Sequence, residues 1–374
     1  MIARFIFYFL ETCMEHDNHY IQLLNTSLRV FFKDAVRVTL KRPSQAYHFL
    51  QTVRWQKRAV RRRSYWAEQG IHVPPIIIFS VTNRCNLHCK GCYAQALNRT
   101  SQDEMDDPTM ERIIAEAHDL GTSFFVLAGG EPLVRWNILD ITERFPDIIF
   151  LIFTNGLLID DTMLNRLKKQ KHVVPVISLE GHEAETDSRR GLGVYERLSQ
   201  IVQKLHHRHI FFSVSLTVTN INMPVVTDAM FIQSMVDSGC KLFFFLEYTA
   251  IREGTEAWLP TDEERDRLNR AVESFRKDYP ALFISVPGDE EQFGGCLSAG
   301  RGFIHITAQG DLEPCPFAPF SDINLRNMPL KEALKSRLLS VIRAHADQLE
   351  EGQGGCTLWQ KREWVQSLLE SAGA

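Results

Sequence analysis

Three thiols stand close together in Cys85-Asn-Leu-His-Cys89-Lys-Gly-Cys92-Tyr93, a C-x-x-x-C-x-x-C spacing. Thiolates at such spacing select zinc, copper(I) or iron-sulfur clusters. A closed zinc site takes four ligands, and His88 is placed to be the fourth. A four-iron cluster held by three cysteines instead keeps one iron free of protein, open to a substrate, and the spacing admits both readings. Three further thiols lie in the tail: Cys296, then thirteen residues, Gly310, four more residues and Cys315, and after a gap of 40 residues Cys356. Cys13 and Cys240 stand alone and read as apolar packing.

Four short polar or glycine-rich segments each follow an apolar run. They are Gly129-Gly130-Glu131-Pro132, Thr154-Asn155-Gly156, Ser178-Leu179-Glu180-Gly181 and Thr217-Val218-Thr219-Asn220. Glycines let a backbone come close to a ligand, and a carboxylate accepts from an ammonium group. Taken singly, each segment has a plainer use: Asn-Gly makes turns, and Glu180 would cap a following helix. Their shared position is what gives them weight. Apolar runs near 76–81, 123–128, 148–153, 173–179, 210–218 and 241–247 read as strands. Amphipathic runs near 107–119, 136–144, 161–170, 193–207, 224–238 and 261–277 read as the helices between and after them. Strands apolar on both faces and alternating with helices imply a parallel sheet covered by helices. Six such units fall short of a closed eight-unit barrel, so the expectation is an open six-stranded βα barrel. All four polar segments and the cysteine loop then share its C-terminal mouth, where βα-barrel enzymes carry their active sites.

The cysteine loop, Gly129-Gly130-Glu131-Pro132 and the strand ends together resemble the radical S-adenosylmethionine (SAM) superfamily over roughly residues 76–285. The resemblance implies an α/β fold, a partial (β/α)6 barrel of the radical SAM type. Cys85, Cys89 and Cys92 would hold a 4Fe-4S cluster whose open iron is chelated by SAM. Gly129, Gly130 and Glu131 would meet the SAM amino group, and Tyr93 and Val218 would flank the adenine. Ser178 and Glu180 would reach the ribose or carboxylate end, Arg190 would pair with the carboxylate, and Thr154 and Asn155 would complete the cofactor site. The implied chemistry is reductive cleavage of SAM by an external electron donor, giving a 5'-deoxyadenosyl radical that takes hydrogen from an unactivated carbon. Glu247, ending the sixth strand, is the candidate proton acceptor, with a helix cap or salt bridge as its other reading.

The tail resembles the SPASM/twitch extension of some radical SAM enzymes, whose pattern opens C-x(9–15)-G-x(4)-C. Four middle cysteines of the full pattern are missing, so Cys296, Cys315 and Cys356 would bind one auxiliary 4Fe-4S cluster. The expected division is a helical basic extension over 1–74, the radical SAM core over 75–285 and a small cysteine-containing α+β domain over 286–374.

Charge and composition bound the partners. The 374 residues are 44% hydrophobic and 24% charged, as in ordinary globular enzymes, which excludes a disordered or collagen-like chain. Residues 1–70 carry twelve Lys and Arg against five Asp and Glu, a net +7 that precedes −11 in the remainder. No apolar run approaches the roughly 18–20 residues that span a bilayer. The opening has no small-residue cleavage site, so a cytoplasmic protein is expected. Phe5, Phe7, Tyr8 and Phe9 ahead of basic helices would suit an anionic membrane surface, hence a peripheral location or a lipid substrate as one reading. Modification of a peptide or protein side chain is the leading reading. A zinc-dependent nucleic-acid binder built on the Lys57 to Arg63 run is the remote one, because no nucleic-acid reading motif accompanies the run.

Overall fold

The computed structural model describes residues 43–293, 295–349 and 356–370. The first 42 residues of the expected helical extension, with the aromatic opening and Cys13, lie outside them. The strands are β1 Ile76–Thr82, β2 Phe124–Gly129, β3 Ile149–Thr154, β4 Val173–Leu179, β5 Ser213–Val218, β6 Leu242–Glu247, β7 Leu282–Val286, β8 Phe303–Ile306 and β9 Leu312–Glu313. They form one sheet in the order β7-β6-β5-β4-β3-β2-β1-β8-β9, parallel except for the β8/β9 pair. The helices are α1 Pro43–Glu68, α2 Tyr93–Ala96, α3 Asp107–Leu120, α4 Ile138–Glu143, α5 Asp161–Lys169, α6 Glu183–Arg190, α7 Val194–His207, α8 Met223–Val226, α9 Ala229–Asp237, α10 Asp262–Asp278, α11 Leu330–Ala333, α12 Arg337–Ala344, α13 Thr357–Gln360 and α14 Arg362–Glu370. The sheet does not close, and this is the partial βα barrel that the strand pattern implies.

Its edges differ from the expectation. β7 extends the sheet past the six anticipated strands, and β8 pairs in parallel with β1, Ile76 opposite Phe303 and Ile78 opposite His305. The segment beyond 286 therefore contributes a strand to the barrel sheet itself. Phe303-Ile304-His305-Ile306 is too short an apolar run to stand out among glycines. Within the tail, the Ser336 hydroxyl accepts from Leu339 N at 3.1 Å and so separates α12 from α11.

Local chemistry sets the individual elements. Asp106 caps α3 by accepting from Thr109 N at 2.9 Å, and Gly121, at φ 109°, ends it in the left-handed conformation. Alternation along the strands sorts side chains by face. Phe79, Leu127, Ile152, Leu179, Leu216 and Phe245 join the main core under the helices. Val176, Leu242, Phe244 and Leu282 line the other face, the barrel interior, together with Val53 of α1. Leu242 and Leu282 begin their strands, so α1 plugs the bottom of the barrel, opposite the mouth. Burying Val53 there is worth about 1.5–3 kcal/mol.

The basic run ending α1 is partly spent inside the protein. Arg62 donates to the His118 carbonyl at 2.7 Å and Arg63 to the Gly121 carbonyl at 2.5 Å, cations at the negative end of α3. Two of the five cations that would face a membrane are thereby engaged in packing. Among the described residues, no helix is long and apolar enough to cross a membrane.

Candidate active site at the barrel mouth

The cysteine loop leaves β1 and is held by neighbouring loops through the backbone. Gly130 N donates to Thr82 O at 2.7 Å and Glu131 N to Arg84 O at 2.9 Å. A Cβ at Gly129 would lie 2.2 Å from Thr82 O, and one at Gly130 2.2 Å from Arg84 O. The Gly-Gly pair is thus required by the approach of the two loops. On the far side, Lys90 N donates to Arg189 O at 2.9 Å. At Gly91, a side chain would strike the Trp258 ring and the Tyr248 hydroxyl, both at 2.6 Å. Cys85, Cys89 and Cys92 stay half-exposed, unlike Cys240, which is buried. Burial pushes the Cys85 and Cys89 thiols up, and the guanidiniums of Arg190 and Arg189 pull Cys89 back down.

Glu131, Thr154 and Asn155 form one buried unit. The Glu131 carboxylate accepts from Thr154 Oγ1 at 2.7 Å, Asn155 N at 2.7 Å and Leu133 N at 3.0 Å. Burial still raises its pKa above the ordinary carboxylate value. Asn155 Nδ2 donates to Asn86 Oδ1 at 2.7 Å, tying the end of β3 to the cysteine loop. Glu131 therefore organises three strand ends, with a carboxylate's roughly four acceptor positions mostly taken.

Glu180 is clamped from α6. Its Oε1 accepts from Arg189 Nη1 at 2.5 Å and from Arg190 Nε and Nη2 at 2.9 and 2.6 Å. Arg190 Nη1 also lies 4.0 Å from Cys89 Sγ, and Arg189 Nη1 reaches Thr217 Oγ1 at 3.1 Å. Glu180 Oε2 and Arg189 Nε are buried without a hydrogen-bond partner, as are Asn220 Oδ1 and Thr249 Oγ1 of the neighbouring loops. Buried polar atoms are ordinarily satisfied, so four open ones near one mouth fit a polar ligand. Ser178, two residues before Glu180 in β4, is half-buried and shares the interior face with Val176. Arg189 and Arg190 are equally placed on Glu180, and Asn222 is the residue that sequence reasoning missed. Asn222 Nδ2 bridges the Glu180 and Thr217 carbonyls at 2.8 and 2.9 Å, a role that no local motif announces.

Two expected residues face the wrong way. Val218 is fully buried in the core under the helices, with Val214 and Leu216, so Thr217 is the residue of β5 that faces the interior. Glu247 shares the parity of Phe243 and Phe245, also core residues, and meets Arg265 of α10, whose Nε donates at 2.9 Å. Burial raises the Glu247 pKa while Arg265 opposes the rise. Glu247 is a salt-bridge residue on the helix side. A Glu247→Gln variant should keep the wild-type rate of SAM cleavage and lose about 2 kcal/mol of stability, read by thermal denaturation, through weakening of a charged hydrogen bond. Tyr93 is occupied as well. Its ring meets Phe317 edge-on at 5.0 Å between centroids, joining the cysteine loop to the tail.

The tail thiols are neighbours in space. Cys296, Cys315 and Cys356 are all buried. Cys315 is pushed well above the ordinary thiol value by a hydrogen bond with Cys356, by burial and by the nearby Cys296. Cys296 N donates to Leu349 O at 3.2 Å, and Trp359 Nε1 of α13 donates to Ala250 O at 3.2 Å, in the loop after β6. This closes the tail over the mouth. Among the described residues, no three His, Cys, Asp or Glu side chains are already drawn onto a common metal centre.

Comparison with known proteins identifies the core. The Radical SAM superfamily profile matches residues 79–236, which contain the end of β1, the cysteine loop and β2 to β5. This core is a radical SAM domain. The chain is 24% identical over 318 residues to the AdoMet-dependent heme synthase of Methanosarcina barkeri, covering 78% of this chain and 90% of that protein. It is 29% identical over 253 residues to the antilisterial bacteriocin subtilosin biosynthesis protein AlbA of Bacillus subtilis, covering 64% of this chain and 54% of AlbA. The structure of Streptococcus suis SuiB bound to S-adenosylmethionine superposes with a TM-score of 0.63 at 19% identity, over 80% of this chain and 73% of SuiB. SuiB bound to its precursor peptide SuiA gives 0.61 at 18% identity, over 84% and 75%.

The mouth of this radical SAM domain suits the cofactors its superfamily implies. Cys85, Cys89 and Cys92 are soft donors on a loop anchored by its backbone, which leaves their side chains free to turn toward one cluster. The open polar atoms of Glu180 and Arg189 lie beside Cys89, where SAM's amino acid and ribose groups would need partners. When bound, the cluster and SAM supply a one-electron reductant and a radical precursor. Arg190 and the Gly129-Gly130 turn would orient them, and apolar side chains line the interior below.

Proposed function

We propose that this radical SAM enzyme takes a hydrogen atom from an unactivated carbon of a peptide or protein side chain, and that the net change is an oxidation or cross-link. The grouping of Cys315 with Cys356 and Cys296 carries this reading. A buried thiol set beside the mouth suits a second 4Fe-4S cluster, which would accept the electron left on the substrate. The substrate class is argued from the rim. Leu158, Leu192, Ile221 and Met230 are exposed large hydrophobics, Leu192 at 96%, in the loop after β3, the turn between α6 and α7, the loop after β5 and the first turn of α9. An extended chain can lie across such an arc, whereas aliphatic side chains in plain solvent gain nothing. AlbA takes part in bacteriocin synthesis, and SuiB has been solved with a precursor peptide.

A second reading rests on a different observation, the match to 90% of the length of a heme synthase, and would make the substrate a tetrapyrrole side chain. One experiment separates them. The full chain, reconstituted anaerobically with iron and sulfide, is incubated with SAM and dithionite, once with a peptide fraction of cell extract and once with iron coproporphyrin. Loss of two hydrogens from a peptide, seen by mass spectrometry, is the expected result. Porphyrin turnover with unchanged peptides would replace the proposal by the second reading.

A further inference from the structure

With Glu247 on the helix side, the oxidation proposed above lacks a proton acceptor inside the barrel. Along β1 to β8 the interior face carries one titratable side chain among the described residues, His305, set opposite Ile78 of β1. It stands in a buried chain of polar groups. Ser80 Oγ is 2.8 Å from His305 Nε2, and His305 Nδ1 is 2.7 Å from Glu313 Oε2. Arg99 Nη1 and Nη2 hold both Glu313 oxygens at 3.0 and 2.7 Å. Ser80, His305 and Glu313 are 4%, 1% and 4% exposed.

The donor and acceptor roles follow from this order. Arg99 donates to both Glu313 oxygens and so fixes them as acceptors. With both Glu313 oxygens accepting from Arg99, Oε2 accepts from His305 too, so His305 carries its proton on Nδ1 and presents Nε2 as an acceptor to the Ser80 hydroxyl. Burial keeps the His305 pKa below the ordinary imidazole value, against the pull of Glu313, so the resting ring is neutral with Nε2 unprotonated. The location is equally specific. A Cβ at Gly129 would lie 3.3 Å from Ser80 Cβ, so Ser80 lies directly under the turn that meets the cysteine loop. Glu313 is two residues before Cys315, and Arg99 is seven after Cys92. The polar chain thus runs from the SAM end of the interior to the tail thiols.

We propose that Ser80, His305 and Glu313 form the proton exit of the oxidative step, His305 Nε2 receiving the substrate's proton through the Ser80 hydroxyl. The proposal rests on the oxidative reading above. The substrate C–H bond breaks homolytically and its hydrogen atom goes to the deoxyadenosyl radical. The substrate radical then loses one electron, to the iron-sulfur cluster proposed at the tail thiols, and one proton. The new double bond or cross-link forms as that proton passes to Ser80 Oγ, whose own proton moves to His305 Nε2. Glu313 stabilises the resulting imidazolium. Ser80, Glu313 and Arg99 are the polar and charged groups that face this ring, from β1, β9 and the segment after α2.

The test has two readouts on the full chain. In the first, 15N-histidine NMR should show His305, assigned by its loss in His305→Gln, as the Nδ1–H tautomer at neutral pH, with Nε2 unprotonated. An Nε2–H tautomer or an imidazolium at that pH would overturn the proposal, whatever the substrate proves to be. In the second, the ratio of oxidised product to deoxyadenosine is followed against pH with the peptide fraction that yields product. His305→Gln should lower it on the order of 100-fold, the usual worth of a positioned base, and flatten its pH profile. Ser80→Ala should lower it in the same direction. A ratio and pH profile unchanged in His305→Gln would leave these residues a structural network only. Product from neither substrate class would count against the oxidative reading alone, and the tautomer would then decide.

Discussion

A variant carrying Cys85→Ala, Cys89→Ala and Cys92→Ala together will form no 5'-deoxyadenosine above background, yet remain folded. Chemistry should vanish because these thiols are the donors beside the mouth that are half-exposed and reachable by a cluster, and reductive cleavage has no other entry. The fold should survive because the loop is secured by backbone groups. Gly130 N to Thr82 O, Glu131 N to Arg84 O and Lys90 N to Arg189 O leave the thiol side chains out of the structure. Removing three half-exposed sulfurs should shift the melting temperature only a few degrees, about 2–4 °C per kcal/mol in a chain of this size class. Deoxyadenosine at the wild-type rate, measured by liquid chromatography with dithionite as reductant, would refute the cluster assignment. A melting temperature lowered by tens of degrees would show instead that the loop is a structural staple.

The cysteine loop and the strand ends were legible in the sequence because they are local. Spacing brings Cys85, Cys89 and Cys92 together within eight residues, and strand direction alone puts Glu131, Asn155 and Glu180 at one mouth. What the sequence did not show were properties of pairing. The interior side of β5 and β6 depends on parity, and the last polar residue of an apolar run invites a reading it does not hold: Thr217 faces the interior where Val218 was expected, and Glu247 meets Arg265. The edge strands were hidden for a thermodynamic reason. Phe303–Ile306 is stable as a strand because β1 is already present beside it, so its sequence needs little propensity of its own. Once β8 is placed, His305 and Ser80 become neighbours although 225 residues separate them. No spacing rule could have joined them.

The tail thiols carry the second large effect. Cys315→Ala combined with Cys356→Ala should cut the iron of the reconstituted protein from roughly eight to roughly four per chain, counting four irons for each thiol set. Three buried thiols brought near one another are a poor arrangement for an apolar core, since Cys315 is pushed well above the ordinary thiol value by its hydrogen bond with Cys356, by burial and by the nearby Cys296. A metal cluster reverses that logic, because coordination deprotonates thiols outright and repays their burial. Their meeting is no accident of chain proximity either, for Cys296 and Cys356 are 60 residues apart. The Cys296 N to Leu349 O bond and the Trp359 contact to Ala250 are what fold α13 back to them. Deoxyadenosine should still form in this variant, since the barrel thiols are untouched, while oxidised product disappears for want of an electron acceptor. Iron assay and product analysis on one preparation therefore read the same substitution twice. Four irons in the wild type, unchanged by the substitutions, would reduce the tail to a packed lid and remove the electron acceptor from the proposed reaction.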